Sequence, residues 1–394
     1  MLLHNVCIVN GEDQLPNEIL IENGRIRAII PTGSLQKNEE KRKTIFFENA
    51  IAFPGLTNSH EHLDFNLFPQ IANKTYANYR EWGNDIHQNN KPAINEVLQI
   101  PQNLRTKWGV YKNLLNGFTS VVNHGDQLAI EDPFIDVHQQ YTSLHSVGFE
   151  KNWKWKLNRP GKQNKPYAMH IGEGTDKLAS EEIDELIYWN LFNKPLVGIH
   201  GVAMKPSQAT AFKALVWCAA SNYFLLDHTA DIKALKQATS ILFGSDSTLT
   251  AGWNIWDQIR TARNAGMLSD EELFESLTAN AAAIWGWKNN GYLKDGYSAD
   301  IVVAQKKAGG DNLNAFYAIQ PEDILLIVQK GKICLYDSLL DDQLHRSNML
   351  ADIAFSRIKI NGHTKSVIGD LPLLMQQIKQ YHPTAILSPI QSIQ

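Results

Sequence analysis

The first residues whose types and spacing could do chemistry are two histidines, His60 and His62, in a His-x-His pattern. Side chains two residues apart on a strand point to the same face, so both imidazoles could bind one metal ion. The pair alone is weak evidence, because about 0.4 such pairs are expected by chance from the histidine content. Two solvent-facing histidines in a loop are the alternative interpretation.

Three further metal-capable residues strengthen the case, because each lies where an apolar run ends. His170 and His200 lie at the ends of two successive predicted strands, Asp246 follows the last predicted strand, and Glu173 comes three residues after His170. In a parallel barrel the carboxyl ends of the strands converge on one face, where active sites are built. A single buried histidine is usually a core residue, but four such strand ends in one chain predict a shared metal site.

The middle of the chain, about residues 53–290, must position these side chains. It alternates short apolar runs with helical stretches, which is typical of βαβ units and a parallel sheet. Its length suits a (β/α)8 TIM-like barrel, with a doubly wound sheet as the alternative. Seven strands are predicted, at 51–57, 119–123, 141–147, 167–171, 196–200, 215–218 and 241–244, with helices at 180–192 and 208–216. The missing strand is expected between Glu131 and Asn164.

The pattern at both ends of the chain predicts short strands, separated by turn signals such as Asn10-Gly11 and Asn23-Gly24. We therefore predict an α/β protein in which a small β-sandwich domain, residues 1–52 plus 291–345, accompanies a barrel at 53–290. Residues 346–394 are expected to form a C-terminal extension, partly helical at 371–381.

The composition limits the function classes. Lysine and arginine number 37, aspartate and glutamate 41, and the net charge is −4, so a nucleic-acid or membrane partner is not expected. No apolar run is long enough to span a bilayer, and no secretory signal is expected at the start of the sequence. Three widely spaced cysteines form no disulfide framework. We expect a cytoplasmic protein, with a homodimer as the default assembly.

Several motifs make the sequence resemble the amidohydrolase superfamily, in its single-metal branch of cytosine, guanine and adenosyl-type deaminases and related chlorohydrolases. The resemblance covers most of the chain, although Ala219 and Ala281 replace common prolines of the family. The motifs are the Pro-Gly entry to His-x-His at 54–62, Gly-Phe-Thr-Ser at 117–120, Cys-Ala-Ala-Ser-Asn at 218–222, Leu-Thr-Ala-Asn at 277–280 and Gly-Tyr-Ser-Ala-Asp at 296–300.

This resemblance implies that His60, His62, His170 and Asp246 ligate one divalent metal. Three imidazoles and a carboxylate suit Zn²⁺, and iron is tolerated by the same set. His200 would lie beside the metal as a loose ligand or a substrate contact. A second metal stays open, because relatives with two metals bridge them with a lysine on the fourth strand; the candidates are Lys151, Lys154, Lys156 and Lys165.

The resemblance also implies that the protein hydrolyses carbon–nitrogen bonds other than peptide bonds. Asp246 would take the proton of the attacking water, Glu173 would protonate a ring nitrogen or leaving group, and His200 would stabilise developing charge. The alternative for Glu173 is a carboxylate at a helix N-terminus. Deamination of an aminated heterocycle is the first prediction; a cyclic amide (imidazolone-type) hydrolase and a non-catalytic metal-binding barrel are the alternatives.

Other residues are left open by the sequence. His124 follows the second strand and could face the substrate or lie in a turn. Phe65, Trp82 and Trp253 lie on or near strand-end loops, where an aromatic ring could stack on a flat substrate or could simply pack.

Overall fold

The computed structural model describes residues 1–11, 14–34, 43–131, 133–160, 165–307, 310–350 and 353–393. Within these residues the strands form a mixed sheet and a parallel barrel, with helices between the barrel strands. In chain order the strands are β1 (Leu2–Ile8), β2 (Pro16–Glu22), β3 (Arg25–Pro31), β4 (Thr44–Pro54), β5 (Leu56–Glu61), β6 (Phe118–Asn123), β7 (Asp136–His138), β8 (Thr142–Ser146), β9 (Tyr167–Ile171), β10 (Leu196–His200), β11 (Phe212–Trp217), β12 (Ser240–Phe243), β13 (Ile301–Gln305), β14 (Ile324–Gln329), β15 (Lys332–Asp337), β16 (Phe355–Ile360), β17 (His363–Ile368) and β18 (Ile390–Ser392).

Helices fill most connections between the barrel strands and also pack beside the sheet. In chain order they are α1 (Tyr79–Asn89), α2 (Lys91–Leu98), α3 (Gln102–Leu115), α4 (Trp153–Asn158), α5 (Lys177–Trp189), α6 (Pro206–Ala209), α7 (Ala219–Leu226), α8 (Ile232–Leu235), α9 (Ile255–Asn264), α10 (Asp270–Leu277), α11 (Ala279–Trp285), α12 (Asn312–Tyr317), α13 (Asp341–Arg346) and α14 (Leu371–Tyr381). Short 3₁₀ turns lie at Leu63–Phe65, Pro321–Asp323 and Ser338–Leu340.

The mixed sheet combines strands from both ends of the chain. Its order among the described residues is β18-β16-β17-β15-β14-β13-β4-β1-β2-β3. Strands from its two halves share one apolar core, which contains Ile21 of β2 together with Val303, Leu326 and Tyr336 of the C-terminal strands. A long twisted sheet buries its apolar face by folding over on itself. The predicted β-sandwich built from both termini is thereby confirmed.

Among the described residues, the barrel comprises the eight strands β5 to β12. Its strands pair in two ladders, β5-β6-β7 and β12-β11-β10-β9-β8, and a parallel bridge between Glu61 and Asp246 joins β12 to β5. The predicted (β/α)8 barrel is confirmed, but the strand predicted at 51–57 was wrong in its bounds. Residues 44–54 belong to the mixed sheet, so the first barrel strand begins at Leu56, after the break at Pro54-Gly55.

The strand missing from the sequence prediction is the third one, β7, at Asp136–His138. It lies inside the expected interval, but the predicted strand at 141–147 is therefore the fourth, β8. All three residues of β7 are only half-buried, so the strand lacks the apolar run that marks its neighbours. The described strand β8 contains no lysine, and Lys151, Lys154, Lys156 and Lys165 all follow it.

The helix predictions were partly wrong. Helix α5 begins at Lys177 because Asp176 caps it, with the backbone N–H of Ala179 donating to Asp176 Oδ1 over 3.0 Å. The helix predicted at 208–216 is instead the single turn α6 followed by strand β11, a run of Phe, Leu, Val and Trp that is buried between its neighbours.

The segment after residue 345 joins the mixed sheet through β16, β17 and β18, and α14 occupies the residues predicted to be helical. It also packs against the barrel, where the Tyr111 hydroxyl of α3 donates to the carbonyl of Ile368 over 2.9 Å. The domain limits at 52, 290 and 345 stay predictions. None of the helices in the described ranges is long and apolar enough to cross a lipid bilayer.

Candidate active site

Three imidazole nitrogens meet at the carboxyl end of the barrel. His60 lies near the end of β5, His62 directly after it, and His170 near the end of β9. Nε2 of His170 lies 3.3 Å from Nε2 of His60 and 3.3 Å from Nε2 of His62. Asp246, after β12, places Oδ1 3.6 Å from His60 Nε2 and 3.7 Å from His62 Nε2. The structure thus brings all four predicted ligands together.

These distances fit a tetrahedral metal site. Zinc bound to nitrogen and oxygen at about 2.0–2.1 Å in a tetrahedron separates its ligand atoms by about 3.3–3.4 Å. The two distances from His170 Nε2 have this spacing, and all three imidazole nitrogens lie within 4.8 Å of one another. The Asp246 carboxylate lies slightly farther from His60 and His62. Nε2 of all three rings could therefore share one divalent cation with Asp246 Oδ1.

Two of the three imidazoles, those of His60 and His170, are in the neutral state that a metal needs. Burial lowers the pKa of His60 to about 4 and holds the pKa of His170 well below its usual value. Nδ1 of His170 donates to the carbonyl oxygen of His145 over 2.8 Å, which leaves the lone pair on Nε2 for the metal. A neutral ring with a fixed tautomer binds a cation without first losing a proton.

Asp246 is oriented by two hydroxyl groups. Ser221 Oγ and Thr250 Oγ1 lie 2.8 and 2.7 Å from Asp246 Oδ2, so Oδ1 is the oxygen that faces the imidazoles. Burial favours the neutral acid, but the close His60 ring and the other nearby imidazoles hold the pKa of Asp246 well below its usual range. Its backbone has a φ of 58°, in the left-handed region, as does His200 with 72°. Such conformations at two strand ends are typical of functional sites.

Glu173 and His200 form the second part of the site. Glu173 Oε2 lies 3.7 Å from His200 Nε2, and Glu173 is only 6% exposed. Burial raises the pKa of Glu173 to about 7, against a smaller opposing effect of His200. The residue lies three positions before the Asp176 cap of α5, outside the helix, so a helix N-terminus does not explain its presence.

The second-strand histidine is inside the site. His124 is buried, its ring centre lies 4.4 Å from that of His170, and its Nε2 has no hydrogen-bond partner. Phe65 stacks on His62 with ring centres 5.3 Å apart. The Trp82 indole instead donates to the carbonyl of Ile71, and Trp253 packs against the main core.

Sequence reasoning missed several residues that support the site. Asn222 orients His200, whose Nδ1 donates to Asn222 Oδ1 over 2.8 Å. Ser221 and Thr250 hold Asp246, and His145 contributes a carbonyl to His170. The Ser-Asn pair at 221–222 was visible as a family motif, but no sequence signal marked Thr250 or His145.

Known proteins resemble this chain in both sequence and fold. Residues 150–334 match the model of the amidohydrolase family. A 5'-deoxyadenosine deaminase of Methanocaldococcus jannaschii is 23% identical over 418 residues, which cover 89% of this chain and 94% of that protein. An adenosine deaminase from Xanthomonas campestris with bound zinc has a TM-score of 0.72 at 17% identity, covering 97% of both chains. An atrazine chlorohydrolase from Arthrobacter aurescens TC1, complexed with zinc, has a TM-score of 0.66 at 16% identity, covering 89% of this chain and 99% of that one.

Proposed function

Because the chain belongs to the amidohydrolase superfamily, we propose that it is a zinc-dependent enzyme that deaminates an aminated heterocycle, with Glu173 as its proton shuttle. The family match and the deaminase relative confirm the predicted class, a metal-dependent hydrolase of carbon–nitrogen bonds. The observation that carries the finer proposal is the buried Glu173, whose pKa of about 7 makes it an acid at neutral pH.

His60, His62, His170 and Asp246 would hold the metal. When bound, zinc supplies a hydroxide nucleophile at neutral pH, because it lowers the pKa of a bound water to about 7. Asp246, whose Oδ2 is held by Ser221 and Thr250, would accept a proton of the attacking water. Of the ring nitrogen and the departing amine, one would take the proton of Glu173 and the other the proton accepted by Asp246, so that ammonia leaves as a neutral molecule.

His200 would stabilise the negative charge that develops during attack, under one condition. Its Nδ1 donates to Asn222, so the neutral ring carries a lone pair on Nε2 and cannot donate from that atom. It can therefore act as a donor only as an imidazolium. Because Glu173, whose Oε2 is 3.7 Å away, gives its own proton to the substrate, the proton on His200 Nε2 would have to come from solvent before the attack.

The substrate is a small molecule, as the deaminase relative supports. Ammonia release from purines, pyrimidines, pterins and triazines, measured with the zinc-loaded protein, tests deamination. Ring opening on a panel of lactams tests the cyclic-amide alternative. Full zinc occupancy with no turnover on either panel would favour the non-catalytic barrel. The homodimer and the cytoplasmic location stay predictions.

A further inference from the structure

Glu61, the residue between the paired histidines, points into a fully buried polar cluster. Both Glu61 and Lys112 have completely buried side chains, and Lys112 Nζ lies 3.1 Å from Glu61 Oε2. A buried ion pair is costly unless its remaining hydrogen bonds are satisfied. Glu61 and Lys112 thus need partners, and the cluster supplies them.

The partners come from three separate segments of the chain. Ser245 Oγ donates to Glu61 Oε2 over 2.8 Å, and Asn66 Nδ2 donates to Glu61 Oε1 over 3.1 Å. Lys112 Nζ also donates to Asn66 Oδ1 over 2.7 Å. Asn58 and Asn113 add further N–H donors at 3.2 and 3.3 Å from Oε2. The cluster therefore ties β5, α3 and the segment after β12 to one carboxylate.

The cluster lies at the point where the barrel closes. Glu61 is flanked by the ligands His60 and His62, and Ser245 directly precedes the ligand Asp246. The backbone N–H groups of Ser245 and Asp246 both donate to the carbonyl of His60 over 3.1 Å. In the described residues β12 and β5 share an isolated bridge rather than a full ladder, so side chains must help to set their relative position.

We infer that Glu61 and Lys112 are positioning residues for the metal site. Their ion pair fixes the paired histidines of β5 relative to Asp246 beyond β12, and so sets the spacing of the four ligands. Zinc affinity then depends on Lys112, a residue of α3 that touches neither the metal nor the substrate. Mutation of a residue that orients metal ligands without binding the metal itself typically weakens metal affinity by about 10–100-fold. This inference rests on the metal site of the proposed function, but not on deamination.

The test measures zinc affinity by chelator competition in the full-length protein, with the unfolding temperature of the metal-free form recorded alongside. Lys112→Met is expected to weaken zinc binding by about 10–100-fold. The double variant Glu61→Gln with Lys112→Met leaves neither member of this ion pair charged. Most of the zinc affinity is therefore expected to return. The matched control is Lys365→Met, which breaks another buried ion pair, Lys365 with Asp337 at 2.6 Å in the mixed sheet. It is expected to lower the unfolding temperature without changing zinc affinity.

Ser245→Ala provides a neutral variant in case Lys112→Met does not fold. It removes one hydrogen bond to Glu61 and is expected to weaken zinc binding at least threefold. Zinc affinity within twofold of wild type in every folded variant would overturn the inference, because the ion pair would then serve the fold alone. A wild-type protein that binds no zinc would contradict both the inference and the proposed function. A wild-type protein that binds zinc but releases no ammonia would contradict only the deamination proposal.

Discussion

Replacing Glu173 with glutamine removes the transferable proton and keeps the size of the side chain. Glu173 is buried, and its pKa rises from 4.5 to about 7. This rise means that the ionised form is about 3 kcal/mol less favourable here than in water. Glutamine is neutral at every pH, so the substitution suits a position that already disfavours charge. We expect the variant to fold.

The expected loss of activity is large because the variant cannot act as an acid. Removal of a general acid or base typically costs about 10²–10⁴-fold in rate, which corresponds to about 3–5 kcal/mol of activation free energy. The effect on stability has the opposite sign. Since the folded-state pKa is raised, Glu173 costs nothing below pH 4.5 and progressively more up to about pH 7. Above pH 7 the metal-free Glu173→Gln variant should be more stable than wild type by up to about 3 kcal/mol.

The assay is ammonia release from a substrate of the wild-type enzyme, with zinc content measured on the same samples. Urea unfolding of the metal-free proteins at pH 5 and pH 8 measures the stability change. Glu181→Gln, on the exposed face of α5, controls for an ordinary loss of a surface carboxylate. A zinc-loaded Glu173→Gln enzyme with kcat within tenfold of wild type would refute the proton-shuttle role.

Three further predictions concern the pH dependence of the enzyme, the packing of helix α3 and the binding of zinc. The wild-type kcat/KM should fall as pH rises through about 7, because Glu173 then loses its proton, and Glu173→Gln should lack this limb in a pH–rate profile. Gly109→Ala should lower the free energy of unfolding by about 1–3 kcal/mol, because the new Cβ would lie 2.1 Å from the carbonyl oxygen of Leu63 and push α3 away. Urea unfolding measures this change, and wild-type stability would contradict the close approach. Chelator treatment should lower the unfolding temperature, and zinc at 100 times its Kd should restore about 2.7 kcal/mol; an unchanged melting curve would argue against metal binding to the folded state.

The sequence predicted the site residues that are marked by their position at the end of a single strand. His60, His62, His170, His200 and Asp246 each follow an apolar run, and parallel strands bring such ends together whatever the loops do. Fully buried strands such as β9 and β10 were predicted at the residues where they occur.

Features that depend on distant pairing were not predictable. Strand β7 has three half-buried residues and gains its conformation from pairing with β6. The strands β16 to β18 alternate polar and apolar residues only weakly and are stabilised by joining an existing sheet edge. The ion pair of Glu61 with Lys112 joins residues 51 positions apart, and nothing in either local sequence marks it. Hydrogen bonds of this kind become visible only when the fold places their partners.

The most direct test of the account is a crystal structure of the zinc-loaded protein with an anomalous difference map at the zinc edge. We predict one zinc ion per chain, bound by Nε2 of His60, His62 and His170 and by Oδ1 of Asp246. An anomalous peak at another place, or none at the barrel mouth after zinc loading, would contradict the central claim.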